Sequence, residues 1–333
     1  MGALRLSLTT ETLRLAQPFR IAGYVFETAD VLVVELNDGQ HRGRGEGAGV
    51  YYTGDDLNHM RGQIEGARAA IEAGPTREEL RAILPPGGAR NAVDAALWEL
   101  EAARTGRPVW AIAGLAKEPQ PIVTTFTVSA DTPEAMAAVA RGYAGAKSIK
   151  VKLTGDLELD LARVAAIRAA RPDVWLGVDG NQGFVAADLD ALVEGLLMHR
   201  VSLLEQPLAR GREADLDGYR SPIPIAGDES LLSLDDVPGA KGRFDVVNIK
   251  LDKCGGLTEG LLMAAEARRL GLGVMVGTMI GTSLATAPGF VLGQLADLVD
   301  LDGPTFLAED RTPSVTYRDG TLHAGAEVWG AGA

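Results

Sequence analysis

A single cysteine, Cys254, stands in 333 residues, so the chain has no internal disulfide and its composition suits a reducing cytoplasm. Positive charge is scarce as well. Against 45 aspartates and glutamates there are 32 lysines and arginines, a formal charge of -13 that leaves no basic field for nucleic acid or an anionic lipid surface. No apolar run is long and unbroken. The least polar stretch, 271–293, is rich in glycine and interrupted by Thr278, Thr282, Ser283, Thr286 and Pro288, which reads as strand, loop and helix, not as a membrane span. The opening MGALRLSLTTETLRL alternates apolar and polar positions and lacks the basic head and apolar stretch of a secretory signal. There is no heptad array, low-complexity tract or flexible linker. The glycines of GRGEGAG resemble a phosphate cradle only superficially, because no P-loop lysine follows and no helix opens there. These absences leave room for a cytoplasmic protein that acts on a small molecule, and that is the expectation.

The length is generous for one core and fits a barrel of about 250 residues with an added layer. Residues 1–120 read as an α+β domain: strands over 3–14 and 29–37, a glycine-rich continuation in HRGRGEGAGV, then helical patterns at 57–73, 76–84 and 89–105, the last stopped by Gly106. From Val123 the rhythm becomes strand then helix. Strands are expected over 124–129, 148–153, 174–179, 202–206, 223–228, 245–250, 273–278 and 298–302, with amphipathic stretches such as DLELDLARVAAIRAA between them. Eight such strands with helical crossovers predict a closed α/β barrel over 121–308. The remaining 309–333 carries a hairpin signal, YRDGTLH, whose Asp-Gly favours a type I′ turn, and is expected to return to the first domain across a rigid interface.

Five of those strands end in charge: Lys150 and Lys152 in SIKVKL, Asp179 in LGVDGNQG, Glu205 in LLEQPL, Asp228 in IAGDES and Lys250 in VVNIKLDKCGG. The carboxyl ends of parallel strands are where such folds place their chemistry. Asp179, Glu205 and Asp228 offer hard oxygen ligands with no cysteine or histidine among them, which favours one Mg2+. A substrate carboxylate on that metal would acidify the neighbouring carbon. The need is large, since an α-proton about fifteen units less acidic than a lysine ammonium leaves on the order of 20 kcal/mol to offset, at about 1.36 kcal/mol per unit. Lys152 and Lys250, before and after the acidic strands, can then act as bases on opposite faces of that carbon, and Lys150, two residues from Lys152 on the same strand face, disfavours a second positive charge there. Taken singly, a lysine at a strand edge is ordinarily a solvated charge and a carboxylate at a helix start a cap; the order base, acid, acid, acid, base is what points to a site. Lys253 competes for the second base but is expected in a loop or at a helix start, and Glu229 would point away from Asp228 in a strand, although loop geometry could bring it near the metal.

With these residues in hand, the chain resembles the enolase superfamily, muconate-lactonizing subgroup, over nearly its full length. The resemblance rests on PFRIAGYVFETADVLVVEL, ALWELEAARTGRPVWAIAGL, KVK, VDGNQG, EQPL, GDES and NIKLDKCGG. It implies a TIM-type (β/α) barrel of modified topology under a capping domain built from the N-terminal region and the C-terminal tail. It also implies Mg2+ at Asp179, Glu205 and Asp228, an acid/base pair of Lys152 and Lys250 with Lys150 as modulator, and a homo-oligomer. Cycloisomerases, o-succinylbenzoate synthases, N-succinyl amino acid racemases and dipeptide epimerases of the subgroup share these positions. Asp300 and Asp302 in VDLDGPTFLAED resemble the pair with which dipeptide epimerases bind a substrate's α-ammonium group, and GTMIGTSLATA, which places Thr278 and Met279 at the substrate, is similar to the same enzymes. The expectation is a dipeptide epimerase; the alternatives are a racemase or synthase of the subgroup, or a binding barrel that has lost a catalytic group, and none is missing. In L-Ala-D/L-Glu epimerases a capping-loop arginine meets the second residue's carboxylate. Aligned from Pro18 and Phe19 that position is Phe26, near Tyr24 and Val25, with Arg20 at the strand end, so an apolar or otherwise non-acidic second residue is expected.

Overall fold

The computed structural model describes residues 4–332, so the first position of the strand expected over 3–14 lies outside the described residues. Strands β1 (Arg5–Ile21) and β2 (Tyr24–Asn37) form one long antiparallel hairpin, paired from Arg5 opposite Asn37 to Ile21 opposite Tyr24 with a slip between Arg14 and Phe19. Its far half was not legible as strand. β3 (Arg42–Ala48) adds to β2, and its alternate glycines have a packing reason: a Cβ on Gly45 would stand 2.0 Å from the Ala92 carbonyl oxygen. The sheet therefore touches a helix backbone to backbone. That helix is α3 (Gly88–Thr105), preceded by α1 (Leu57–Glu72) and α2 (Arg77–Ile83) and followed by the short α4 (Val109–Ile112). Asp56 caps α1 by accepting from the His59 amide, and Thr76 with Glu79 forms a capping box on α2. Leu32, Val34 and Leu36 of the sheet meet Met60, Ile64, Leu80 and Leu100 in one core.

After β4 (Ile122–Val123) the barrel runs β5 (Thr125–Val128), α5 (Pro133–Gly142), β6 (Ser148–Lys152), α6 (Leu157–Ala170), β7 (Trp175–Asp179), α7 (Leu189–Met198), β8 (Leu203–Glu205), β9 (Ile225–Gly227), α8 (Val237–Ala240), β10 (Val246–Lys250), α9 (Leu251–Cys254), α10 (Leu257–Arg269), β11 (Gly273–Gly277), α11 (Ser283–Gly293) and β12 (Leu298–Asp300). β5 to β12 form a parallel eight-stranded sheet in sequence order. It closes differently from a continuous ladder. Thr124 Oγ1 accepts from the Leu301 amide at 2.9 Å, the Thr127 amide donates to Asp302 at 2.6 Å, and Thr125 donates to Asp300, so side chains bridge the first and last strands. The crossover after β8 also departs from the expected helix. Between Glu205 and Ile225 there is only the turn Glu213–Leu216, because LARGREADLDGYRSPIP carries no apolar helical period.

The hairpin of β13 (Thr316–Arg318) and β14 (Thr321–His323) turns through Asp319 and Gly320 at φ 49 and 73, both positive as a type I′ turn requires. β14 pairs with β4, and the chain then runs on to the first sheet, where the Trp329 indole donates to the Arg44 carbonyl at 3.0 Å and the Gly330 carbonyl accepts from the Val109 amide at 3.0 Å. α3 docks on the turn that follows β10. Asp252 accepts from the Ala48 amide at 2.9 Å and from Asn91 at 2.8 Å, while Thr258 donates to Asp94 at 2.6 Å.

Candidate active site

The parallel register sets the strand-end charges level with one another: Lys152 lies beside Asp179, Asp179 beside Glu205, and Gly277 between Lys250 and Asp300. Ligand oxygens of Asp179, Glu205 and Asp228 lie within 4.8 Å of one another. Lys152 Nζ is 2.6 Å from Asp179 and Lys250 Nζ is 2.6 Å from Asp228, so the two lysines stand on different members of the triad. Lys150 donates to Glu205 at 3.1 Å and to Asp300. Asn248 holds the other Glu205 oxygen at 2.8 Å, and Gln206 accepts from the Asp228 amide at 2.9 Å. Gly277 leaves room for a base: a Cβ there would be 2.9 Å from Asn248 Oδ1 and 3.1 Å from Lys250 Cε.

Two further charged side chains stand around Asp228. β9 ends at Gly227, so Glu229 lies in a turn, not on a strand, and its buried carboxyl approaches Asn181 Nδ2 at 3.5 Å. Lys253, in the single turn of α9, is buried and meets Asp228 Oδ1 at 2.5 Å from beyond the strand. It also donates to the Asn248 carbonyl at 3.0 Å, so it is held at the base of Asp228.

Six buried carboxylates, Asp179, Glu205, Asp228, Glu229, Asp300 and Asp302, face four buried lysines at positions 150, 152, 250 and 253. The excess of two negative charges shows in the titration. Burial, then Asp179 close by, pushes Glu205 up to about 7, and burial with Asp228 pushes Glu229 up to about 8. Burial and Asp300 push Asp302 up to about 7. Burial would raise Asp228 too, but Lys250 and Lys253 outweigh it and hold that carboxyl well below the usual range. Burial opposes the charge on Lys150, yet Asp300 and Glu205 hold it well above an ordinary lysine; like-charge repulsion does not govern it. A divalent cation among three hard oxygen donors supplies the two charges the site lacks, so the residues fit Mg2+.

Above the carboxylates is a cavity of about 460 Å3 between barrel and hairpin. Lys150, Lys152, Lys250, Asp300 and Asp302 line its floor, with Thr278 and Met279 from the end of β11. Phe26, Tyr51 and Tyr52 form the roof, and Asp30, Asp55 and Asp56 stand near them; no arginine lines it among the described residues. Tyr24 is outside the lining: half exposed, it packs edge-on to Tyr51 with centroids 4.6 Å apart. Arg20 faces away, because Phe19 pairs with Phe26 and Arg20 with Val25, and alternate residues of a hairpin point to opposite faces. Its guanidinium lies 3.7 Å from Asp131 instead. Tyr51, Tyr52, Asn181 and Thr127 reach the cavity without having been anticipated. Only Asn181 carried a signal, two residues past Asp179 of the carboxylate triad.

Two family models match the chain: the mandelate racemase / muconate lactonizing enzyme N-terminal domain over residues 4–114, and the enolase C-terminal domain-like model over 133–332. The L-Ala-D/L-Glu epimerase of Escherichia coli is 42% identical over 308 residues, 92% of this chain and 95% of that protein. An N-acetyl-D-glutamate racemase of a Pseudoalteromonas species is 42% identical over 244 residues, 73% of this chain and 76% of that protein. Among solved structures, the dipeptide epimerase from Enterococcus faecalis complexed with Mg and L-Leu-L-Tyr superposes with a TM-score of 0.91 at 28% identity, covering 100% of this chain and 99% of its own.

Proposed function

The chain belongs to the enolase superfamily, in the group of mandelate racemase and muconate lactonizing enzyme, and we propose that within it the protein is a Mg2+-dependent epimerase that inverts the α-carbon of the second residue of a dipeptide. One observation carries the reading. The cavity floor presents Lys152 on Asp179, Lys250 on Asp228, and the pair Asp300 and Asp302 on the remaining side. The carboxylate pair suits a substrate ammonium group through charge-assisted hydrogen bonds, each worth roughly 1.5–3 kcal/mol.

Asp179, Glu205 and Asp228 would hold Mg2+, which when bound would neutralise negative charge on the substrate carboxylate. The chain's own groups do the rest. One lysine of the pair, neutral at the start, takes the proton from its face, and the ammonium of the other returns a proton to the opposite face, so Lys152 and Lys250 exchange protonation states with each inversion. Lys150, tied to Glu205 and Asp300, stays charged and fixes both carboxylates. Tyr51, Tyr52 and Phe26 exclude water above the reacting carbon.

The roof also favours the second residue's chemistry. Phe26 and Tyr51 pack edge to face at 5.4 Å, with Asp30, Asp55 and Asp56 near them, which suits an apolar or otherwise non-acidic side chain joined to L-Ala. The similarity to an N-acetyl-D-glutamate racemase favours a second reading, racemisation of an N-acyl amino acid. That substrate would leave Asp300 and Asp302 facing an acyl group inside the cavity. The family resemblance and the lone buried Cys254 support a homo-oligomer in a reducing cytoplasm. The deciding experiment is α-proton exchange of a mixed dipeptide library in D2O with Mg2+, read by mass beside N-acetyl and N-succinyl amino acids. Exchange confined to the acylated substrates would overturn the dipeptide assignment.

A further inference from the structure

Beside the main cavity lies a second chamber of about 340 Å3, and the two share Phe19, Thr127 and Phe306 in their walls. The rings of Phe19 and Phe306 meet edge to face, centroids 4.8 Å apart and planes at 61°, so this aromatic pair is the partition. Beyond it the chamber is lined by Met136, Val139 and Tyr143 and bordered by the exposed pair of Arg20 and Asp131. The hairpin is fixed here. The Arg20 amide donates to Ser129 Oγ at 2.5 Å and its carbonyl accepts from the Ala130 amide at 3.0 Å, which seats Phe19 against the barrel.

The partition adjoins the carboxylates assigned to the substrate's ammonium group. The Thr127 amide donates to Asp302 at 2.6 Å, and Phe306 ends the helical turn Gly303–Phe306 that Asp302 opens. The first residue's α-carbon is one bond from the ammonium nitrogen, so a substrate held by Asp300 and Asp302 would bring its first side chain near Thr127 and the two rings. Rings that close the cavity at this point would leave less room for a long side chain than for a methyl group.

We propose that Phe19 and Phe306 select a small first residue, and that the chamber behind them receives a large apolar side chain once Phe306 is cut back. The inference rests on the dipeptide reading of the same site. Phe306 is half-buried and Phe19 buried, so truncating Phe306 is the milder change.

The test compares kcat/KM for L-Ala-L-Leu, L-Phe-L-Leu and L-Ala-L-Phe with the Mg2+-loaded wild type, Phe306→Ala and Phe306→Leu. Wild type is expected to favour L-Ala-L-Leu over L-Phe-L-Leu by about tenfold or more, since shape discrimination in an apolar pocket spans roughly 10–200-fold. Phe306→Ala is expected to erase or invert that ratio, Phe306→Leu to give an intermediate value, and both to keep the ratio of L-Ala-L-Leu to L-Ala-L-Phe. The leucine variant serves alone if the alanine variant does not fold. An unchanged first-residue ratio in a folded, active variant would overturn the proposal, as would wild type taking L-Ala-L-Leu and L-Phe-L-Leu equally or a variant altering second-residue preference instead. A wild type that exchanges N-acyl amino acids and no dipeptide sinks the dipeptide reading first, and is recognised before any variant is made.

Discussion

Lys152 and Lys250 are chemically alike and differ in what holds them. Lys152 shares Asp179 with Lys150, which stands 3.6 Å from the same oxygen, whereas Lys250 shares Asp228 with Lys253. If each serves one face of the α-carbon, Lys152→Ala and Lys250→Ala should each abolish net epimerisation and each leave solvent exchange from one stereoisomer only, the two variants retaining opposite isomers. Deuterium incorporation into L,L and L,D dipeptides followed separately reads this out; equal exchange from both isomers in both variants removes the two-base assignment. Phe26 offers a second test at this scale. A glutamate side chain meeting that ring beside Asp30, Asp55 and Asp56 has no arginine in the lining to meet it, the lysines there being on the floor and tied to carboxylates, and an unpaired buried charge is costly. Phe26→Arg should therefore raise kcat/KM for L-Ala-L-Glu relative to L-Ala-L-Leu by about tenfold, equivalent to about 1.4 kcal/mol. Wild type that already prefers L-Ala-L-Glu over every non-acidic dipeptide would show that the roof does not select as its charges suggest.

At the scale of elements, what was legible follows from period and position. A buried parallel strand is a short apolar run, and a charge at its end is conspicuous against it, so the strands carrying Lys150, Asp179, Glu205, Asp228 and Lys250 and their common level could be read from sequence. The same logic failed where an element carries no period. The far half of the β1–β2 hairpin, with Phe19 and Phe26, is set by its packing on the barrel and not by its own alternation. Tyr51 and Tyr52 sit in one turn of helix, and Glu229 and Lys253 come close to Asp228 only because the chain turns immediately after β9 and β10. The glycines of β3 are instructive. Their spacing of two places all three against α3, where a side chain would meet helix backbone, so a run with only a superficial likeness to a phosphate cradle is a packing surface.

At the scale of the molecule, the hairpin domain and the barrel share one active cavity, and the contact that joins them contains ionisable groups of its own. Asp94 of α3 is fully buried where it receives the Thr258 hydroxyl at 2.6 Å and amide at 3.1 Å, and desolvation outweighs those bonds and pushes it up to about 6. Asp252, across the same contact, is likewise pushed up to about 6 by burial against the bonds from Ala48 and Asn91. A carboxyl whose pKa is higher in the folded than in the unfolded chain stabilises the fold fully below the unfolded value, near 3.9, and loses that contribution as pH climbs through the folded value. Asp94 should thus favour folding at pH 4 and oppose it above pH 6, by up to about 3 kcal/mol for a shift of about two units at about 1.36 kcal/mol each. Asp94→Asn keeps an acceptor for Thr258 and removes the titration. Urea unfolding at pH 5 and at pH 7.5, both with excess chelator so that metal binding does not contribute, should show the variant gaining about 1–2 kcal/mol on wild type between the two pH values. Curves that stay parallel would place the Asp94 carboxyl in the ordinary range and show that solvent reaches the contact between the hairpin domain and the barrel.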